Sequence, residues 1–291
     1  MTTTVPPAED ARPRLLAVAF RMLGDAGEAE DAVQEAYARW FRLTDAERAD
    51  VREPAAWLTT VTSRICLDVL GSARHRRETY VGPWLPEPLP AHSPVVAPDP
   101  ADLAVLGESV DLAVLVALEA LTPAQRVAWV LHDVFAVPFD QVAEAVGRTP
   151  QACRALAAAA RRALRSDRRV AASRDEHARA VAAFQAACLT GDVNALVAVL
   201  DPSVVLTSDG GGLVSAARRP VRGADAVARF LLGLLARHPR FEVRPAEVGG
   251  RLVAVVAEDD AVDSVLALGV TDGVVTDVWI VRNPHKLTAW S

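Results

Sequence analysis

Lysine is almost missing from this chain. Of the 31 lysines and arginines in its 291 residues, all but Lys286 are arginine. Cysteine is scarce as well: Cys66, Cys153 and Cys188 are odd in number, far apart and set among apolar neighbours. That spacing excludes a disulfide framework and offers no metal-ligand pair, so reduced, buried thiols and no bound metal are expected. No apolar run approaches the ~18 residues of a membrane-spanning helix. The opening MTTTVPPAED lacks the apolar core of a secretory signal, so a soluble, cytoplasmic protein is expected. A net charge of −6 excludes a coat of basic surface. Positive charge must be local, and it gathers at Arg74, Arg76 and Arg77 and again between Arg148 and Arg179. At 51% apolar and 23% charged residues the composition is globular, and the length suits about two or three domains.

The densest local signal runs from Leu121 to Arg169. Leu121, Val127, Ala128, Leu131 and Val134 recur at helical spacing, with Thr122 placed to cap and Pro123 at the first helical position. After Pro138 a short helix carries Val142, Ala145 and Val146 on one side and halts at Gly147. A further helix opens at Thr149-Pro150 and runs through Leu156 to Leu164. Two short helices joined by a glycine-containing turn make a helix-turn-helix, whose second helix enters the DNA major groove. Thr149, Gln151 and Arg154 then face bases or phosphates at the helix start. Arg161, Arg162, Arg165, Arg168 and Arg169 supply phosphate-binding charge. A plain helical hairpin with a solvated basic face is the other reading of the same residues.

Upstream, Leu15, Leu16, Ala19, Phe20 and Leu23 mark one face of a helix that Gly24 stops. In a second helix Ala29, Ala32, Val33, Ala36, Tyr37, Trp40 and Phe41 alternate in steps of three and four, opposite a face of Glu28, Asp31, Gln34, Glu35 and Arg39. A loop from Thr44 to Glu53 leads to Pro54 and a third apolar stripe: Trp57, Leu58, Val61, Ile65, Val69 and Leu70. Thr59, Thr60, Thr62, Ser63 and Arg64 lie mostly off that stripe. A hydroxyl-and-arginine face ending in Arg74, Arg76 and Arg77 suits phosphate and single-strand contact, or is simply the basic end of a three-helix core. Tyr80 to Leu89 and the proline-dense stretch to Pro100 exclude helix and sheet and give a stiff, extended linker.

The acidic segment Glu28–Tyr37, the EPAAWLTTVTSRICLDVL helix and the WLPEP of Trp84–Pro88 together resemble an extracytoplasmic-function (ECF) sigma factor. WLPEP points to the group with a fused SnoaL-like C-terminal domain, and the resemblance runs from about Arg12 to the C-terminus. It implies region 2 at 12–78, a proline-rich linker at 79–107, the region 4 helix-turn-helix at 108–170 and the SnoaL-like domain at 175–291. The implied fold is two all-α sigma domains followed by an α+β, NTF2-like cone. The implied function is promoter recognition and transcription initiation with core RNA polymerase and promoter DNA as partners, without cofactor, metal or catalytic residues. Asp31, Gln34 and Glu35 would dock on polymerase. The loop from Thr44 to Glu53 and the helix from Trp57 onward would melt and read the minus-ten element, with Arg64, Arg74, Arg76 and Arg77 binding DNA, and the helix beginning at Thr149 would read the minus-thirty-five element. One departure matters: the family's recognition helix has polar groups where this chain has Ala155, Ala158 and Ala159. Losing bidentate base contacts, each contributing about 1–3 kcal/mol of discrimination, would weaken readout.

From Arg174 the texture changes. A helix through Ala178–Gln185 and a second at Leu196–Leu200 precede strand-like runs at 204–207, 240–248, 252–257, 264–271 and 274–282, with an apolar helix at Ala224–Leu235. Helices followed by a curved antiparallel sheet give the cone, with a pocket for a small ligand at its mouth. Asp209-Gly210-Gly211-Gly212 matches the family's DGGG. Asn283-Pro284-His285-Lys286-Leu287 matches its NPDKL with His285 replacing Asp. The glycine trio alone is equally an ordinary turn. The resemblance places both motifs against the sigma core; the expected regulatory contact runs through Trp84-Leu85-Pro86-Glu87-Pro88, so that the domain would regulate the sigma factor in cis. The alternative is a SnoaL-like small-molecule sensor or cyclase/isomerase, drawing on Asp209, Asp259 and His285, fused to a degenerate DNA-binding half.

Overall fold

The computed structural model describes residues 11–78, 80–91, 93, 95, 111–167 and 172–290, with the backbone alone for 73–78. The chain divides into two compact units. One comprises Met1–Arg76, His92–Ser109 and Leu118–Ala163; the other comprises Arg77–Ala91, Val110–Ala117 and Leu164–Ser291.

The first unit is helical. Helix α1 (Arg12–Leu23) is buried without a gap from Leu15 to Leu23, so it is a central helix and not the one-faced helix its spacing suggests. Even Arg21 is buried, donating to the Ala17 carbonyl at 2.9 Å and lying over the Phe135 ring. Gly24 ends α1 at φ 73°, a left-handed position where glycine has no Cβ to strain. Asp25 then caps α2 (Ala26–Arg42), which buries Ala29, Ala32, Val33, Ala36 and Trp40. Phe41, expected on that stripe, is instead 60% exposed and stacks on Tyr37. The expected loop after Thr44 contains a short helix, α3 (Asp45–Asp50), closed by a reciprocal Thr44–Glu47 capping box. Helix α4 (Pro54–Glu78) follows. Its hydroxyl face is not the open one expected, because Thr62 and Ser63 are fully buried. Ser63 bonds back to the Thr59 carbonyl at 2.7 Å, which lets a hydroxyl sit inside a helix interface.

Helix α5 (Leu112–Leu118) leads to α6 (Pro123–Trp129), with Thr122 and Gln125 forming a second capping box. The expected single helix does not run on from α6: it loosens into a π-helical turn, Val130–Val134, and ends at Phe135. Helix α7 (Phe139–Val146) stops at Gly147, and α8 (Pro150–Ser166) begins after the Thr149 cap. Three residues separate α7 from α8, the geometry of a helix-turn-helix.

The second unit is α+β. Helices α9 (Arg174–Thr190) and α10 (Val193–Val199) precede β1 (Leu200–Asp209), and β2 (Val221–Arg222) precedes α11 (Ala224–Arg237). Strands β3 (Glu242–Val248), β4 (Arg251–Glu258), β5 (Ala261–Thr271) and β6 (Val274–Val281) complete a sheet of order β2-β1-β6-β5-β4-β3. The sheet is mixed, not antiparallel throughout, since β1 pairs with β6 in parallel. The long route from β1 through α11 to the far edge and back makes that pairing possible. Strand alternation then buries both faces. Leu268, Val278 and Ile280 pack under α9, α10 and α11. Val265, Ala267, Trp279 and Val281 pack against Leu85 of the linker, Leu112 and Ala113 of α5, and Leu287 of the tail.

Candidate functional site

The residues that cover the second sheet face converge on one buried carboxylate. Asp209, at the end of β1, has no solvent exposure. Its Oδ1 accepts from the Tyr80 hydroxyl at 2.7 Å and the Gly211 amide at 3.0 Å. Its Oδ2 accepts from the Leu85 amide at 3.0 Å and the Lys286 ammonium at 2.8 Å. Lys286, itself 3% exposed, also donates to the Leu85 carbonyl and lies 4.2 Å from the Trp84 ring centroid. A buried ammonium is tolerable because carboxylate, carbonyl and aromatic face all meet it. Asn283 donates to the Tyr80 hydroxyl at 2.9 Å, and the Trp290 indole donates to the Pro88 carbonyl at 2.6 Å. Leu85 to Pro90 are all buried, so this part of the linker is a fixed element of the second unit.

The glycine trio has a steric reason. A Cβ on Gly211, at φ 63°, would stand 2.6 Å from the Asn283 amide, and one on Gly212, at φ 75°, 2.9 Å from Val81. An ordinary turn does not need this; backbone pressed against Tyr80–Trp84 and Asn283 does. Of the segments expected to meet, Trp84, Leu85, Pro88, Asp209, Gly211, Asn283, Lys286 and Leu287 share this seam. Gly210 packs instead on Val214 and Ala216, Pro86 and Glu87 are buried, and Pro284 is exposed. Asp209, Asp259 and His285 do not form a cluster: Asp259 pairs with Arg240 in an exposed turn, and His285 is exposed.

On the helical unit, Asp31 and Gln34 are exposed on α2. Glu35 is already engaged by Arg39 at 2.8 Å, which holds its carboxyl below the usual range. Thr149 caps α8, Gln151 and Arg154 are exposed near its start, and the Arg154 guanidinium lies over Phe139. Arg162 is exposed, whereas Arg161 is drawn to Asp133 at 2.5 Å. Arg64 donates twice to the Glu144 carbonyl at the end of α7, so it is not a free surface cation. The side chains of Arg74, Arg76 and Arg77, and all of Arg168 and Arg169, lie outside the described residues.

Sequence reasoning missed Tyr80, Trp290 and Arg126. Arg126 is 3% exposed and donates to Met22 O, Leu118 O and Glu119, and burial lowers its pKa to about 10. An arginine between Gln125 and Val127 looks solvated by pattern; only the tertiary placement of carbonyls explains it.

Two family models match the chain: Sigma-70 region 2 over residues 8–77, and Sigma-70, region 4 over 111–164. The ECF RNA polymerase sigma factor SigJ of Mycobacterium tuberculosis (strain ATCC 25618 / H37Rv) is 42% identical, covering 96% of this chain and 92% of that protein. The chain is an ECF sigma factor. A probable ECF sigma factor SigI of Mycobacterium tuberculosis is 38% identical over 95% of this chain and 92% of its own length. The crystal structure of M. tuberculosis SigJ matches with a TM-score of 0.72 at 38% identity, covering 97% of each chain. The sigma factor therefore carries two helical sigma domains followed by a mixed-sheet, SnoaL-like domain, and acts with core RNA polymerase on promoter DNA. Sigma factors are transcription regulators and not enzymes. Among the described residues, no helix is long and apolar enough to cross a membrane.

Proposed function

We propose that this sigma factor docks on core polymerase through the α2 face of Asp31, Gln34 and Glu35. In this reading it works in the cytoplasm, where core polymerase works, and promotes initiation without chemistry of its own. Residues 12–78 act as region 2, 79–107 as the linker, 108–170 as region 4 and 175–291 as the regulatory cone. Arg64 and the Arg74–Arg77 cluster meet the minus-ten element. Gln151, Arg154 and Arg162 on α8 meet the minus-thirty-five element after the Thr149 cap.

The cone regulates in cis by fixing the linker that joins the two regions. The observation that carries this is the burial of Leu85–Pro90 together with the Lys286–Asp209 pair closing over Trp84 and Leu85. A free proline-rich linker sets only a distance, whereas a seated one sets an orientation. In vitro transcription on one promoter with core polymerase tests it, comparing the full chain, a chain ending at Arg282 and Trp84→Ala. The two altered chains are expected to change initiation in the same direction. Equal initiation by all three rules out control through this seam. A small ligand in the cone is a separate part of this reading, independent of the seam.

A further inference from the structure

The second unit holds a cavity of about 480 Å3 between α9 and α11 on one side and β3, β4 and β5 on the other. It uses none of the seam residues Asp209, Asn283 or Lys286. Phe184, Leu231, Leu268 and Ile280 form its apolar walls, and among the described residues no aspartate, glutamate, lysine or arginine lines it. Among the described residues its only polar lining side chains are Gln185, Cys188, His238 and Ser264. Burial pushes the Cys188 thiol up to about 11, so it is uncharged at neutral pH. The His238 ring is stacked on Phe241 at 4.5 Å.

Ser264 is the telling residue. It stands on β5, is 4% exposed as a residue, and supplies the one hydroxyl among the described residues that line the cavity. On an otherwise apolar wall that hydroxyl is the place where the polar end of a ligand finds a hydrogen-bond partner. At the rim, Leu189 is 87% exposed and Val243 48% exposed, which makes the entrance apolar as well. A charged ligand would lose its hydration here and meet no counter-charge. At ~30 Å3 for each water-sized group, the space holds on the order of 15 non-hydrogen atoms.

We propose that this cavity binds a neutral, largely apolar small molecule carrying one hydrogen-bonding head group, of the long-chain alcohol class, with the head group on Ser264. The proposal goes beyond cis regulation by the seam and does not depend on it. The test uses the full chain and the neutral fluorophore N-phenyl-1-naphthylamine, with 1-dodecanol and 1-chlorododecane below their solubility limits and dodecyl phosphate below its micelle concentration as competitors. Saturable fluorescence displaced by 1-dodecanol, and at least about tenfold more weakly by dodecyl phosphate, is expected. Ser264→Ala should weaken 1-dodecanol about three- to tenfold, the size of one net hydrogen bond, and leave 1-chlorododecane unchanged. Leu231→Trp should fill the cavity and remove binding. Cys188→Trp, at a partly exposed position, keeps the test sound if the first variant does not fold. The proposal is overturned by absence of saturable binding, by equal displacement with dodecyl phosphate, or by unchanged binding in Cys188→Trp. Because polymerase takes no part in the measurement, a failure here leaves the promoter reading standing.

Discussion

Asp209 is fully buried and receives four hydrogen bonds, and one of its partners is the ammonium of Lys286. Removing one member of such a buried pair leaves the other uncompensated, at a cost of about 3–5 kcal/mol. Lys286→Met is therefore expected to lower stability by roughly that amount, and the double variant Asp209→Leu, Lys286→Met to recover part of it; urea unfolding measures both. His177 makes a second residue-scale prediction. Burial holds its pKa below the ordinary 6.5, against the opposing pull of its hydrogen bond to the Leu268 carbonyl at 3.1 Å. The unfolded chain thus binds the proton more tightly than the folded one. Stability from this group is full above 6.5 and is lost as pH falls from 6.5 through the lower folded value. Thermal unfolding followed from pH 7.5 to 5 should show this loss, and His177→Gln should flatten it. The motif residues at Asp209 and Lys286 were legible as letters, but not as a pair. Nothing in their spacing says that a lysine 77 positions away will be buried against the aspartate.

At the scale of elements, the caps were the most legible feature. Thr122, Thr149, Gly24 and Gly147 each end or start a helix where local chemistry alone requires it. What escaped was anything set by a neighbouring element. The π-helical turn at Val130–Val134 breaks a helix whose apolar spacing runs on unbroken. The hydroxyls of α4 read as a surface because pattern counts polarity, whereas Ser63 hides its hydroxyl on its own backbone. The same neighbour effect separates two adjacent arginines of α8. Arg162 is exposed, while Arg161 is held by Asp133. Arg162→Ala should reduce the salt slope of promoter binding by about one, the value for one lost phosphate contact. Arg161→Ala should change it less, since its charge is already matched. Equal slopes for the two variants in filter-binding titrations would place Arg161 on DNA instead.

For the whole molecule, the boundaries drawn from composition and those drawn by packing differ in kind. Composition marks the proline-dense stretch as a spacer. Packing gives Arg77–Ala91 to the same unit as the cone, because a sheet with two apolar faces needs a second cover. Within the helical unit, Arg126 reaches the Met22 carbonyl, Arg14 the Phe135 carbonyl and Arg64 the Glu144 carbonyl, so regions 2 and 4 are tied together. The minus-ten and minus-thirty-five elements lie about 25 base pairs apart, or roughly 80 Å at ~3.4 Å per step. Each region has a radius of gyration of only about 11 Å. Reading both elements at once therefore requires these ties to part. A bismaleimide bridge between Arg14→Cys and Ala136→Cys should abolish initiation while sparing core binding in a pull-down; full initiation by the bridged chain would show that the ties persist on DNA.

The arginine-rich character of the chain has a practical corollary. The one side-chain amine in 291 residues is the ammonium sealed beneath Trp84 and Leu85. Any chemistry selective for lysine, whether acylation, reductive methylation or conjugation to a carrier, can reach this side chain only when the seam between linker and tail opens. Mass spectrometry of a briefly acylated sample, read at the single peptide containing position 286, thus acts as a clock for that opening. The protein contains its own reporter, with no background from other lysines.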